Sequence, residues 1–114
     1  MKQLISSIEV PGAPVMVIFG GNPVRRHEVL SMLSDLGGIS AHGALSEEEG
    51  IQMLRQHPDV QLVLIGGRYS ELQRQRIRDL VRTTYPRAAI TEPGWQYPYD
   101  NDEIVADIRK KLGS

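Results

Sequence analysis

Cysteine is absent from the 114-residue chain, and that absence removes disulfides, thiolate metal ligands, cysteine nucleophiles and thiol redox motifs together. An excess of one charge is lacking as well. With 13 basic and 14 acidic residues the net charge is −1, which argues against bulk attraction to nucleic acid or to an anionic membrane. No apolar run approaches the roughly 20 residues that a bilayer-spanning helix needs. Near the start, Leu4, Ile5, Ile8 and Val10 are interrupted by Ser6, Ser7 and Glu9, so no signal-peptide core forms. The expected location is therefore cytoplasmic.

What is present is an ordinary globular composition, 40% apolar and 24% charged, in a length that suits one domain with a modest core. The chain is organised around Val15 to Val24. Val15 to Phe19 is an unbroken apolar run rich in β-branched residues, as a strand covered on both faces requires. Gly20 and Gly21 follow as a turn, Asn22 suits an N-cap and Pro23 the first helical position. The helix that begins there places Val29, Leu30, Leu33 and Leu36 on one side, and Gly37 and Gly38 stop it. A strand end, a glycine turn and free helix N–H groups together suggest an anion-binding corner, against the plainer reading of a tight turn.

The pattern then repeats. Ile39 to Ala44 reads as a second strand whose Ser40 and His42 suggest partial exposure at a sheet edge. Ser46 and Glu49 form a capping box opening a helix that buries Ile51 and Leu54, with Glu47 to Glu49 as its acidic first turn. Val60 to Ile65 reads as a central third strand ending in Gly66 and Gly67. Ser70 and Gln73 cap a third helix with Leu72, Ile77, Leu80 and Val81 toward the core. Ala88 to Thr91 is a short fourth strand, followed by the loop Glu92 to Tyr99. A last helix, boxed by Asp100 and Glu103, carries Ile104, Val105, Ile108 and Leu112.

Four strand–helix units with short connections predict an α/β fold, a three-layer α/β/α sandwich of the Rossmann-like or flavodoxin-like kind. Right-handed crossovers and a buried first strand predict a four-stranded, mainly parallel sheet of order 2-1-3-4, with a ligand crevice between strands one and three. Residues 1–13 read as an N-terminal arm, either helical or an edge strand at Ile8 to Val10. Residues 14–114 form the single domain. The apolar residues of the arm need a partner, which makes a homodimer or another protein contact an expectation.

Over most of residues 14 to 113 the chain resembles the receiver domains of bacterial response regulators. Asn22 to Gly37 is similar to a receiver first helix, Ala44 to Ile51 and His57 to Ile65 to the start of its second helix and its third strand, and Pro98 to Ile104 to the entry of its last helix. The departures are at the chemical positions. Where the resemblance implies an acidic pair for magnesium after the first strand, this chain has Gly20 and Gly21. Where it implies a phosphoryl-accepting aspartate, the chain reads Ile65 and Gly66, and Glu92 stands where a lysine precedes the proline. Phosphotransfer by the family mechanism lacks its carboxylates.

The expectation is thus a non-catalytic receiver-like module acting through protein contacts, without a metal or cofactor. The alternative is a binding domain for a phosphate- or nucleotide-type anion in the crevice. Its candidate ligand residues are Gly20, Gly21, Asn22, Arg25, Arg26, Gly66, Gly67 and Arg68, with Trp95, Tyr97 and Tyr99 as a stacking lid. Neither a dinucleotide fingerprint nor a P-loop occurs. Arg74, Arg78 and Arg82 stand at i, i+4 and i+8, a basic stripe for an acidic partner or, less readily, a nucleic-acid backbone. His27, His42 and His57 lie on different elements without ligand spacing, and Asp100 to Asp102 begins a calcium-loop pattern that lacks its glycine. No catalytic set is legible.

Overall fold

Strands and helices alternate along the chain in the computed structural model, which describes residues 5–92 and 101–112, the side chains of 101–103 excepted. In chain order they are β1 (Ser7–Ile8), β2 (Val15–Phe19), α1 (Pro23–Leu36), β3 (Ser40–Ala44), α2 (Glu47–Gln56), β4 (Leu62–Ile65), α3 (Glu71–Thr84), β5 (Ala89–Thr91) and α4 (Asn101–Lys111). Local chemistry sets the helix ends. The Asn22 side chain accepts from the N–H groups of Val24 and Arg25, while Gly37 and Gly38 leave α1 with φ of 77° and 71°, which side chains with a Cβ resist. Ser70 and Gln73 form a complete capping box at α3.

The sheet corrects the expected four-stranded sheet of order 2-1-3-4. It has five strands in the order β1-β3-β2-β4-β5 and is mixed, because β1 runs antiparallel to β3. The arm supplies this extra strand: Ser7 lies opposite His42 and Ile8 opposite Ala41. Consequently β3 is not an edge. Ser40 and His42, expected to be partly exposed, are buried, and the Ser40 hydroxyl both accepts from the Val10 N–H at 2.8 Å and donates to its carbonyl at 3.0 Å. Ile5 and Ile8 pack against the core of their own domain, and the Ile5 N–H donates to Nδ1 of His27 at 3.0 Å, tying the arm to α1.

Side chains alternate across each central strand. Met16, Ile18, Leu62 and Leu64 join Val29, Leu30 and Leu33 of α1 and Ile104 and Ile108 of α4 on one face. Val17, Phe19, Val63 and Ile65 join Leu54 of α2 and Ile77 and Val81 of α3 on the other. Helices therefore cover both faces. Among the described residues no helix is long and apolar enough to cross a membrane.

One inward position of α3 differs from the sequence expectation. Leu72, expected in the core, is 62% exposed, and the inward positions are Arg74, Ile77 and Val81. The spacing of 3.6 residues per turn decides this, since an inward Ile77 and Val81 put position 74 beneath the helix and position 72 on its outer side.

The other face is tightest where α2 crosses β2. A Cβ on Gly50 would lie 2.1 Å from Cε2 of Phe19, far inside contact distance. Gly50→Ala sets about 1 kcal/mol of helix propensity gained against overpacking that costs about 1–3 kcal/mol or more. A net loss of stability is expected in urea unfolding of the variant; an unchanged or raised midpoint would contradict this packing.

Candidate functional site

The carboxyl ends of β2 and β4 lie side by side, Phe19 in register with Ile65. Beyond them the two glycine pairs face each other across a cavity of about 470 Å³. It gathers Gly20, Gly21, Asn22, Arg25, Arg26, Gly66, Gly67 and Arg68, with Ile18, Phe19, Val29 and Leu64 completing its lining. Residues separated by some forty positions in sequence thus meet where ligands of open α/β sheets commonly bind. Trp95, Tyr97, Tyr99 and Asp100 lie outside the described residues.

The glycines act by leaving space. Positive φ occurs among the described residues at Gly12, Gly37 and Gly38, so the crevice turns need no left-handed backbone. A Cβ on Gly21 would instead approach Cδ of Arg68 at 3.3 Å.

The expected free N–H groups at the start of α1 are corrected. Pro23 has none, Val24 and Arg25 donate to Asn22 Oδ1 at 2.8 and 3.1 Å, and the Arg26 N–H donates to the Asn22 carbonyl at 2.9 Å. Gly20 N–H donates to Ala44 O and Gly66 N–H to Phe19 O. The N–H groups of Gly21 and Gly67 make no hydrogen bond among the described residues. The donors left on the cavity are therefore side chains and these two amides.

Three guanidinium groups line the cavity and no carboxylate does among the described residues. Arg25 is paired with Glu28 at 2.8 Å. Arg26 lies along Gly43, donates from Nη1 to its carbonyl at 3.2 Å and stays 3.9 Å from Glu49, while its buried Nε has no hydrogen-bond partner among the described residues. Arg68 is exposed and forms no ion pair or hydrogen bond among the described residues. The local charge is positive.

Behind the turns, α3 fixes their carbonyls. Tyr69 donates its hydroxyl to Gly20 O at 2.7 Å, and burial pushes that phenol's pKa up to about 12, so it remains a donor at any physiological pH. Arg74, fully buried, donates Nε to Tyr69 O at 3.1 Å, Nη2 to Gly66 O and Nη1 to Glu92 at 2.6 Å. Arg78 joins both oxygens of Glu92 and also Glu71. Burial alone would raise the pKa of Glu92, but the hydrogen bonds from Arg78 and Arg74 outweigh it and hold the carboxyl below its usual range.

The basic stripe is accordingly corrected. Arg74 is a core residue and Arg78 is neutralised by two carboxylates, which leaves Arg82 exposed alone. In the sequence the three looked alike because helical spacing records that residues share a side, not whether the side faces water.

At the opposite end of the sheet the fold joins two histidines that the sequence left apart. The rings of His42, on β3, and His57, the residue capping α2, stack with centroids 3.9 Å apart and planes 14° from parallel. Glu9 and Asp59 line the same hollow of about 510 Å³. Burial lowers the His42 pKa, and the neighbouring His57 lowers it further against the opposing pull of Glu9 and Asp59. No group of three or more His, Asp or Glu side chains among the described residues could hold a metal ion.

Comparison with protein-family models, with curated proteins and with solved structures returns no match for this chain.

Two outcomes follow from these contacts. Arg74→Ala strips donors from two buried carbonyls and a charge from Glu92, so a loss of about 3 kcal/mol is expected in chemical denaturation; a loss below about 1 kcal/mol would refute the bracket. For His42 the folded pKa lies below the ordinary value of about 6.5. The unfolded chain therefore takes up the proton first, and stability present above that pH declines as pH falls through the folded value. Denaturation between pH 7.5 and 5 should show this slope in the wild type and a shallower one in His42→Gln.

Proposed function

We propose that this protein binds a small phosphate-type anion in the crevice between β2 and β4. The observation that carries the reading is that three arginines from two separate segments converge, with two glycine amides that make no hydrogen bond among the described residues, on one cavity whose described lining holds no carboxylate. Guanidinium groups suit phosphate and carboxylate oxygens because their donors form a planar fork. Arg68 carries the most weight, since it has no counter-ion among the described residues and stands beside Gly21 at the mouth of the cavity.

The protein-contact reading has less behind it. Two of the arm's apolar residues, Ile5 and Ile8, pack on their own domain. The large apolar side chains exposed among the described residues, Val10, Val24 and Leu72, belong to three separate segments.

Binding to the native state raises the melting temperature by mass action. A screen of nucleoside monophosphates, sugar phosphates and flavin mononucleotide is expected to yield at least one compound that, at 100 times its Kd, adds about 2.7 kcal/mol, roughly 10 °C for a domain of this size. Arg68→Glu, at an exposed position, should abolish that shift while keeping the far-ultraviolet circular dichroism of the wild type. A shift that survives this substitution, or no shift from any compound, would overturn the proposal.

A further inference from the structure

The floor and the mouth of the crevice differ in chemistry, and the difference bears on what kind of anion it takes. Ile18 of β2 stands in register with Leu64 of β4, so both side chains emerge on the same face of the sheet. Val29, two turns into α1, covers them from above and belongs to the same apolar cluster. These three residues line the cavity and bring no polar side-chain atom to it. Hydrogen-bonding capacity lies with the exposed Arg68 and the amides of Gly21 and Gly67, whereas Ile18, Val29 and Leu64 are only 3%, 4% and 1% exposed.

We infer that the ligand is an amphipathic anion: one phosphate or carboxylate head held at the Arg68 mouth, joined to an apolar, ring-sized body that occupies the Ile18–Leu64–Val29 floor. This rests on the anion-binding reading and narrows it. Size points the same way. At about 30 Å³ per water, a cavity of about 470 Å³ would hold on the order of fifteen waters, far more space than an inorganic anion fills. It falls in the range of about 300–1,000 Å³ typical of sites for small organic molecules, which are largely apolar with a few placed polar groups. The donors point the same way too. A bare dianion presents acceptors in every direction, whereas the amides at the head of α1 and those of Gly20 and Gly66 are already committed. An apolar body asks nothing further of the floor, and its transfer from water adds affinity that a free anion lacks.

Three probes separate the contributions on the wild-type protein: inorganic phosphate, 1-naphthyl phosphate and 1-naphthol, titrated at fixed ionic strength by calorimetry, with methyl and amide NMR shifts as the site report. The expected result is that 1-naphthyl phosphate binds at least tenfold more tightly than either fragment. It should perturb the methyl signals of Ile18, Val29 and Leu64 together with the amides of Gly21 and Gly67, and Arg68→Glu should weaken the ester by at least tenfold while leaving naphthol unchanged. Equal affinity for inorganic phosphate and the ester would overturn the amphipathic inference and leave the anion-binding reading standing. Naphthol binding as tightly as the ester would overturn both, as would failure of all three probes to bind.

Discussion

A guanidinium group placed where an apolar side chain would ordinarily sit governs the carboxyl end of this sheet. Arg74 is fully buried beneath α3, and a buried charge is tolerable only when its donors are met. The Tyr69 carbonyl, the Gly66 carbonyl and the Glu92 carboxylate meet them. Two of these partners lie in the β4–α3 connection and the third is the residue after β5. Satisfying one side chain therefore sets the relative positions of two loops, and Tyr69 extends the arrangement to the turn after β2 through Gly20. The crevice keeps its shape because the carbonyls behind it are already occupied.

The same accounting explains why the mouth of the crevice is electropositive. Glu92 neutralises Arg74 and Arg78, and Glu71 adds a second carboxylate to Arg78, all on the α3 side. The cations lining the crevice are less evenly matched: among the described residues Arg25 has Glu28, Arg26 has the more distant Glu49, and Arg68, from the β4–α3 connection, has no carboxylate. Charge that is balanced over the whole chain is thus unbalanced locally. The opposite end of the sheet is organised differently, with stacked imidazoles and two carboxylates around the arm's return into β2. That end responds to protons, and the crevice end offers cations.

Much of the architecture was legible in the residues because local rules act over a few positions. The β2 run, the Asn22 and Ser70 caps, the glycine stop after α1 and the alternation of elements follow from period and capping chemistry. The eight candidate ligand residues of the crevice line one cavity, since strand ends and turns of a parallel sheet meet there by topology; Trp95, Tyr97 and Tyr99 of the expected lid fall outside the described residues. Beyond the phase of Leu72 and the capped amides of α1, what failed was long-range. Two residues of the arm pairing with β3 cannot be read from a segment that scores as helix or strand equally well, and that pairing alone converts Ser40 and His42 from edge to interior. The stack of His42 on His57 left no sequence signal, because nothing local links a mid-strand position to a helix cap fifteen residues away.

The sequence by itself determined which segments become strands and helices, where most of them stop, and that their alternation makes an α/β fold. Backbone preference, hydrophobic period and capping operate within a turn or two of chain, so they are written in neighbouring residues. Only the tertiary structure decided which of three evenly spaced arginines is buried, which glycine amides find no hydrogen bond among the described residues and which edge the arm covers. Those outcomes depend on desolvation and on partners brought from distant segments, and a side chain's surroundings do not exist until the sheet has assembled.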